Sequence, residues 1–188
     1  MNTAEATASS DNVRSTVAAA GFTALISIGA YISIPIGPVP IVLQNFFVLL
    51  AGVMLPRRTA AASVAVYLFL GALGLPIFSG GTGGFAHFIG PTGGYLIAYL
   101  PAVYCTALIA DVHNRSMLRD LLALALGALL IFAVGVPWLK FSSSMSWEAA
   151  AGTGLLPFLP GDALKVTAAA FVSRAFTPRL RRLFANEQ

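Results

Sequence analysis

The stretch from Ser15 to Pro56, STVAAAGFTALISIGAYISIPIGPVPIVLQNFFVLLAGVMLP, contains no charged residue. One crossing of a hydrocarbon core ~30 Å thick takes about 20 apolar residues, so this run is long enough to cross twice. The turn between the two crossings is written into it, because Pro35, Gly37, Pro38 and Pro40 cannot continue a helix. Downstream, Thr59–Ala110 is again uncharged apart from a neutral His87, and offers two more crossings. A surface facing water needs charge to cover it, and the overall composition has too little. Of 188 residues, 57% are hydrophobic and 10% charged, whereas soluble domains average about 45–50% and about 25%. The chain is therefore read as an integral membrane protein.

Helix breakers divide the rest. Expected spans are Thr16–Ile34, Val39–Leu55, Thr59–Ile77, Gly90–Ala110, Arg119–Trp138 and Gly161–Phe176. Pro56-Arg57-Arg58 closes the second, Pro76 with Gly80–Gly84 the third, Asp111–Arg115 the fourth, Lys140 with Ser142–Ser144 the fifth, and Pro178 the sixth. Cytoplasmic loops carry the excess of Lys and Arg. Arg14, Arg57, Arg58, Arg115, Arg119, Arg174, Arg179, Arg181 and Arg182 fall on one side, and Lys140 and Lys165 on the other, which accounts for all 11 basic residues. That asymmetry predicts an all-α bundle of six transmembrane helices with both ends inside. Residues 1–14 form a cytoplasmic N-terminal tail, 15–177 the transmembrane domain and 178–188 a cytoplasmic C-terminal tail. Met1–Asn12 lacks the basic start, apolar core and cleavage site of a signal peptide, and is expected to be disordered. The basic residues mark orientation and not a nucleic-acid surface. The two halves differ too much in composition for an inverted-repeat transporter.

Three polar features stand out. Asp162 and Lys165, in PGDALK, are spaced i, i+3 and share one helical face at the outer start of the last span. They can be a helix-end carboxylate with a snorkelling lysine, or a pair that holds a polar ligand. Gln44 and Asn45 lie in the second span, where an amide needs an interior partner; either helix–helix bonding or ligand contact meets that need. The outer connection Phe78–Gly94 is rich in glycine and aromatics, and is expected to form a lid or pocket wall. Tyr95 just after it is an interfacial anchor or part of that wall, and His87 and Trp138 are read as interfacial. On the first span Ala20-x-x-x-Ala24, flanked by Gly21 and Gly29, makes a small-residue stripe that lets another helix come close.

Several chemistries have no residues to carry them. The chain has no G-x-x-x-x-G-K-[ST] loop for ATP phosphates, and two His and one Cys make no metal cluster. Ser79 and His87 lack a G-x-S-x-G elbow and an orienting carboxylate. Catalytic and metal sites are therefore expected to be absent, as is any cofactor. Cys105, in an apolar run, reads as a small hydrophobe.

GPVPIVLQ (Gly37–Gln44), GGTGG (Gly80–Gly84), GPTGGYL (Gly90–Leu96) and PGDALK (Pro160–Lys165) together resemble the BioY family, over about Val17–Phe176. The resemblance implies a biotin-binding substrate-capture (S) component of an energy-coupling factor (ECF) transporter in the cell membrane. Its partners would be a transmembrane coupling (T) subunit and two ABC ATPases that use the ATP. It also implies that Gln44, Gly83, Tyr95, Asp162 and Lys165 surround the ligand, and that Ala20 and Ala24 dock the coupling subunit. Asn45 departs from the threonine or similar small residue expected there. The biotin carboxylate can point to the Gly37–Pro40 turn or pair with Lys165, and both poses stay open. Capture of another vitamin and a scaffold without ligand are the rival readings.

Overall fold

The computed structural model describes residues 3–110 and 116–183, with side chains over 12–110 and 116–176. Among the described residues, eight helices run in chain order: α1 (Thr3–Tyr31), α2 (Gln44–Met54), α3 (Arg57–Ala72), α4 (Ala86–Ile89), α5 (Gly93–Ala110), α6 (Met117–Ser142), α7 (Trp147–Gly154) and α8 (Leu159–Leu183). Between α1 and α2 lies a two-stranded antiparallel hairpin, β1 (Ser33–Ile34) on β2 (Ile41–Val42), with Ser33 opposite Val42 and Ile34 opposite Ile41.

Among the described residues, three helical stretches are long and apolar enough to cross a membrane: Asn12–Tyr31, Gly93–Ala110 and Met117–Ser142. A fourth arises if α7 and α8, bent by 45° at their junction, count as one span. The chain is thus a multi-pass, mostly helical membrane protein. Its apolar surface fits that environment. Leu118, Leu122, Leu126 and Leu129 of α6 are all largely exposed, and recur at helical spacing along a face turned away from the bundle. A stripe of that size costs little against lipid tails and much against water.

Helix α2 is the hub, packing against α1, α3, α5, α6 and α8. It is apolar around most of its circumference, which suits an element enclosed on all sides, and nine of its 11 residues are buried. Close approach of α5 depends on Gly52, where an added Cβ would lie 2.8 Å from the Thr106 Cβ. Thr106 in turn donates to the Ala123 carbonyl of α6 at 3.3 Å, so α2, α5 and α6 meet around one hydroxyl.

Three sequence expectations change. The second span was expected from Val39, but its first residues pair in the hairpin and helix starts only at Gln44. Pro38 and Pro40 lack the N–H groups a helix would need there, and the strand pairing satisfies the backbone instead. The N-terminal tail is helical from Thr3 and not disordered, consistent with its alanine-rich composition. Pro178 does not end the last helix, which runs on to Leu183. The Asp111–Arg115 break and the tail residues 184–188 lie outside the described residues.

Candidate functional site

The hairpin, the 78–92 connection, the first turns of α2 and α5, the middle of α6 and the residue before α8 line a cavity of about 320 Å³. Its walls come from distant parts of the chain. Pro38, Val39, Pro40 and Val42 form the hairpin side; Phe78, Ser79, Thr82, His87, Pro91 and Thr92 form the connection side. Gln44 and Asn45 enter from α2, Tyr95, Leu96 and Tyr99 from α5, Phe132 from α6, and Phe158 from just before α8. The lining is mainly apolar with a few polar groups, the usual make-up of a small-molecule site.

The connection is held in shape by its own backbone. Phe78 N–H donates to Thr82 O at 2.8 Å and Gly81 N–H to Phe78 O at 3.0 Å. That turn uses left-handed φ values of +76° at Gly80 and +71° at Gly81, which favour glycine. Phe78 is buried and meets Tyr67, His87 and Phe88 edge to face. The far end is tied down by Trp138 of α6, whose Nε1–H donates to Gly90 O at 2.9 Å. Tyr31 of α1 donates to Pro76 O and Tyr67 of α3 to Ile77 O, so the start of the connection is anchored as well.

Gln44 and Tyr95 of the expected set both line this cavity. Gln44 is 2% exposed, with the Tyr67 side chain beside its amide, and among the described residues its Nε2 makes no hydrogen bond of normal geometry. Tyr95 is turned by a bond from its hydroxyl to Gly154 O at 2.8 Å. Asp162 and Lys165 pair at 2.9 Å, as their spacing suggests, and Lys165 also donates to Val42 O at 2.8 Å. Neither lines the cavity; they adjoin it through Val42 and through Phe158, whose carbonyl accepts from Asp162 N–H at 2.8 Å. The pair is mostly buried, so Lys165 does not snorkel outward. It straps α8 to the hairpin. Gly83 is not in the lining either. Its α-hydrogen face lies against the Leu75 carbonyl, leaving no room for a side chain.

Ala20 and Ala24 are exposed on α1, and Ala20 borders a second groove of about 470 Å³ between α1 and α3. Gly21 shares that exposure, whereas Gly29 is buried against Gln44 and Phe47 of α2. The outward stripe is therefore shorter than its sequence pattern.

Residues 1–182 match the model of the BioY family. The chain belongs to the BioY family. Among its relatives, the probable biotin transporter BioY of Pyrococcus horikoshii is 42% identical, over 81% of this chain and 89% of that one. The biotin transporter BioY of Thermotoga maritima is 38% identical, over 86% and 94%. A crystal structure of the S-component for biotin from an ECF-type ABC transporter superposes with a TM-score of 0.82 at 32% identity, covering 97% of this chain and 95% of that one.

Within this BioY fold, several cavity residues had no distinct signal in the sequence. Tyr99 and Phe132 look like ordinary span aromatics, and Phe158 like part of a connector. His87, read as interfacial, is in the wall. Trp138, read the same way, is a strut for the connection. The one available hint was Asn45, an amide in an apolar helix. Tyr99 meets it, donating to Asn45 Oδ1 at 2.6 Å.

Proposed function

We propose that this chain captures biotin at the outer face of the cell membrane and acts as the S component of an ECF-type ABC transporter, performing no covalent chemistry. The observation that carries this reading is a buried amide nitrogen, Gln44 Nε2, without a hydrogen-bond partner among the described residues, at the wall of a partly open, mainly apolar cavity. An unsatisfied buried donor costs about 1–3 kcal/mol, a cost that a ligand acceptor would remove. Biotin offers a ureido carbonyl as acceptor, two ureido N–H donors, and an apolar ring and chain that suit Val39, Phe132 and Phe158.

In this reading Gln44 contacts the ureido group and Tyr95 walls the ring. Asp162 and Lys165 act as a pair, either by holding the hairpin against the site or by exchanging partners with the ligand as it binds. Gly83 lets the connection fold tightly over the mouth. Ligand capture needs only a difference in affinity between an outward and an inward state, and the work comes from partners. The small residues Ala20 and Ala24 would dock the coupling subunit, and two ABC ATPases would hydrolyse the ATP. Six crossings with both ends inside follow from the arginine asymmetry, made by α1, the hairpin with α2, α3, α5, α6 and the bent α7–α8.

The test is a titration of labelled biotin into the purified chain in detergent. Saturable binding of one biotin per chain, displaced by unlabelled biotin, supports capture; no binding at micromolar ligand contradicts it. Uptake by cells should in addition require the coupling subunit and ATPases.

A further inference from the structure

Asn45 lies in the first turn of α2, 6% exposed, with its side chain at the cavity wall. Tyr99 of α5, 3% exposed, donates its hydroxyl proton to Asn45 Oδ1 at 2.6 Å. A carboxamide has an acceptor end and a donor end of nearly equal shape, so what fixes its orientation also fixes its chemistry. With Oδ1 engaged, Nδ2 is the end that Asn45 can offer the cavity, and no hydrogen bond from it exists among the described residues. Turning the amide over would set Nδ2 against the hydroxyl and oblige the tyrosine proton to find another acceptor. Beside Asn45, Gln44 Nε2 is buried and unpartnered among the described residues. Asn45 Nδ2 is thus a donor available to the cavity, beside a buried one at Gln44 that lacks a partner among the described residues.

We propose that Tyr99 is a positioning residue that sets the polarity of the Asn45 carboxamide, so that this wall is a donor surface selecting a ligand with an acceptor group, such as a urea carbonyl, over one with a donor in that place. The assignment rests on the cavity being the biotin site. It extends that reading from which molecule binds to how a near-isostere is refused. A site built around directed polar groups rejects an analogue of the wrong polarity because its own groups are then left unpaired.

The probe is 2-iminobiotin, in which the ureido oxygen is replaced by nitrogen and, when protonated, presents only N–H donors. Dissociation constants for biotin and 2-iminobiotin are measured on the full-length chain, on Tyr99→Phe and on Asn45→Asp. The unaltered chain should prefer biotin. Tyr99→Phe keeps the ring but releases the amide, so biotin should weaken by about fivefold to tenfold, the worth of one hydrogen bond, with 2-iminobiotin unchanged or tighter. Asn45→Asp replaces the donor end by an acceptor, and its preference should reverse. A ratio of the two constants that matches the unaltered chain in either variant overturns the assignment, since loss of packing alone would weaken both ligands equally. If the unaltered chain binds no biotin, the proposed function fails and this inference with it. Clear discrimination by the unaltered chain with unshifted variants defeats only this inference.

Discussion

Replacing Lys165 by methionine tests the strap between the last helix and the hairpin. Lys165 Nζ holds Asp162 Oδ1 at 2.9 Å and Val42 O at 2.8 Å, with the two side chains 13% and 10% exposed. Lys165→Met keeps the stem and its packing but leaves a buried carboxylate without its cation. Breaking one side of a buried pair costs about 3–5 kcal/mol, and the residual exposure argues for the lower figure. Asp162→Asn leaves the lysine its bond to Val42, so its cost should be about 1.5–3 kcal/mol, the worth of one hydrogen bond to a charged group. The double variant removes both charges and should lose much less than the sum, which places the coupling at roughly 2 kcal/mol or more. The assay is thermal unfolding of all four proteins in one detergent. A loss of about 3 kcal/mol should lower the apparent Tm by roughly 6–12 °C for a protein of this size. Strict additivity, with the double variant falling as far as the two single ones combined, would refute the reasoning and mean that water screens the pair.

Three further outcomes follow from other contacts. Gly83→Ala places a Cβ against the Leu75 carbonyl oxygen, and 2.8 Å from its carbon, which the connection can accept only by moving; biotin affinity should fall by about tenfold or more, the equivalent of 1–3 kcal/mol of strain, read by titration. Trp138→Phe removes the bond to Gly90 O and should raise the biotin dissociation rate several-fold in a chase experiment, in line with about 1 kcal/mol for one hydrogen bond. Ala20→Trp with Ala24→Trp fills the exposed face of α1 and should abolish co-purification with the coupling subunit while leaving biotin affinity unchanged. Loss of both properties together would signal misfolding.

Membrane character and most helix positions were legible because they depend on long-range averages: runs without charge, and proline placed where a helix must stop. The span beginning at Val39 was misread because apolar composition does not distinguish a helix from a short strand pair, and Pro40 tipped the balance locally. Pro178 failed as a stop for a related reason, since a proline removes one N–H but does not forbid a kinked continuation. At the site, Asp162–Lys165 was readable as a pair because both lie on one helix. The Val42 carbonyl that completes the strap was not, because backbone acceptors are the same at every position and only the fold brings this one near. Tyr99 carries no more local signal: nothing in the sequence distinguishes it from Tyr104, which lies exposed on the same helix. Glycine gave a partial signal. The cluster Gly80–Gly84 marks an unusual backbone, but which member needs close approach and which needs left-handed φ is decided only by the fold.

The most direct test is a density map of the chain solved with biotin. The ureido group is predicted to lie in the cavity beside Gln44 and Asn45, with the ring against Phe132 and Phe158. Biotin found in the groove beside Ala20, or a cavity left empty in a chain shown to bind biotin, would contradict the account.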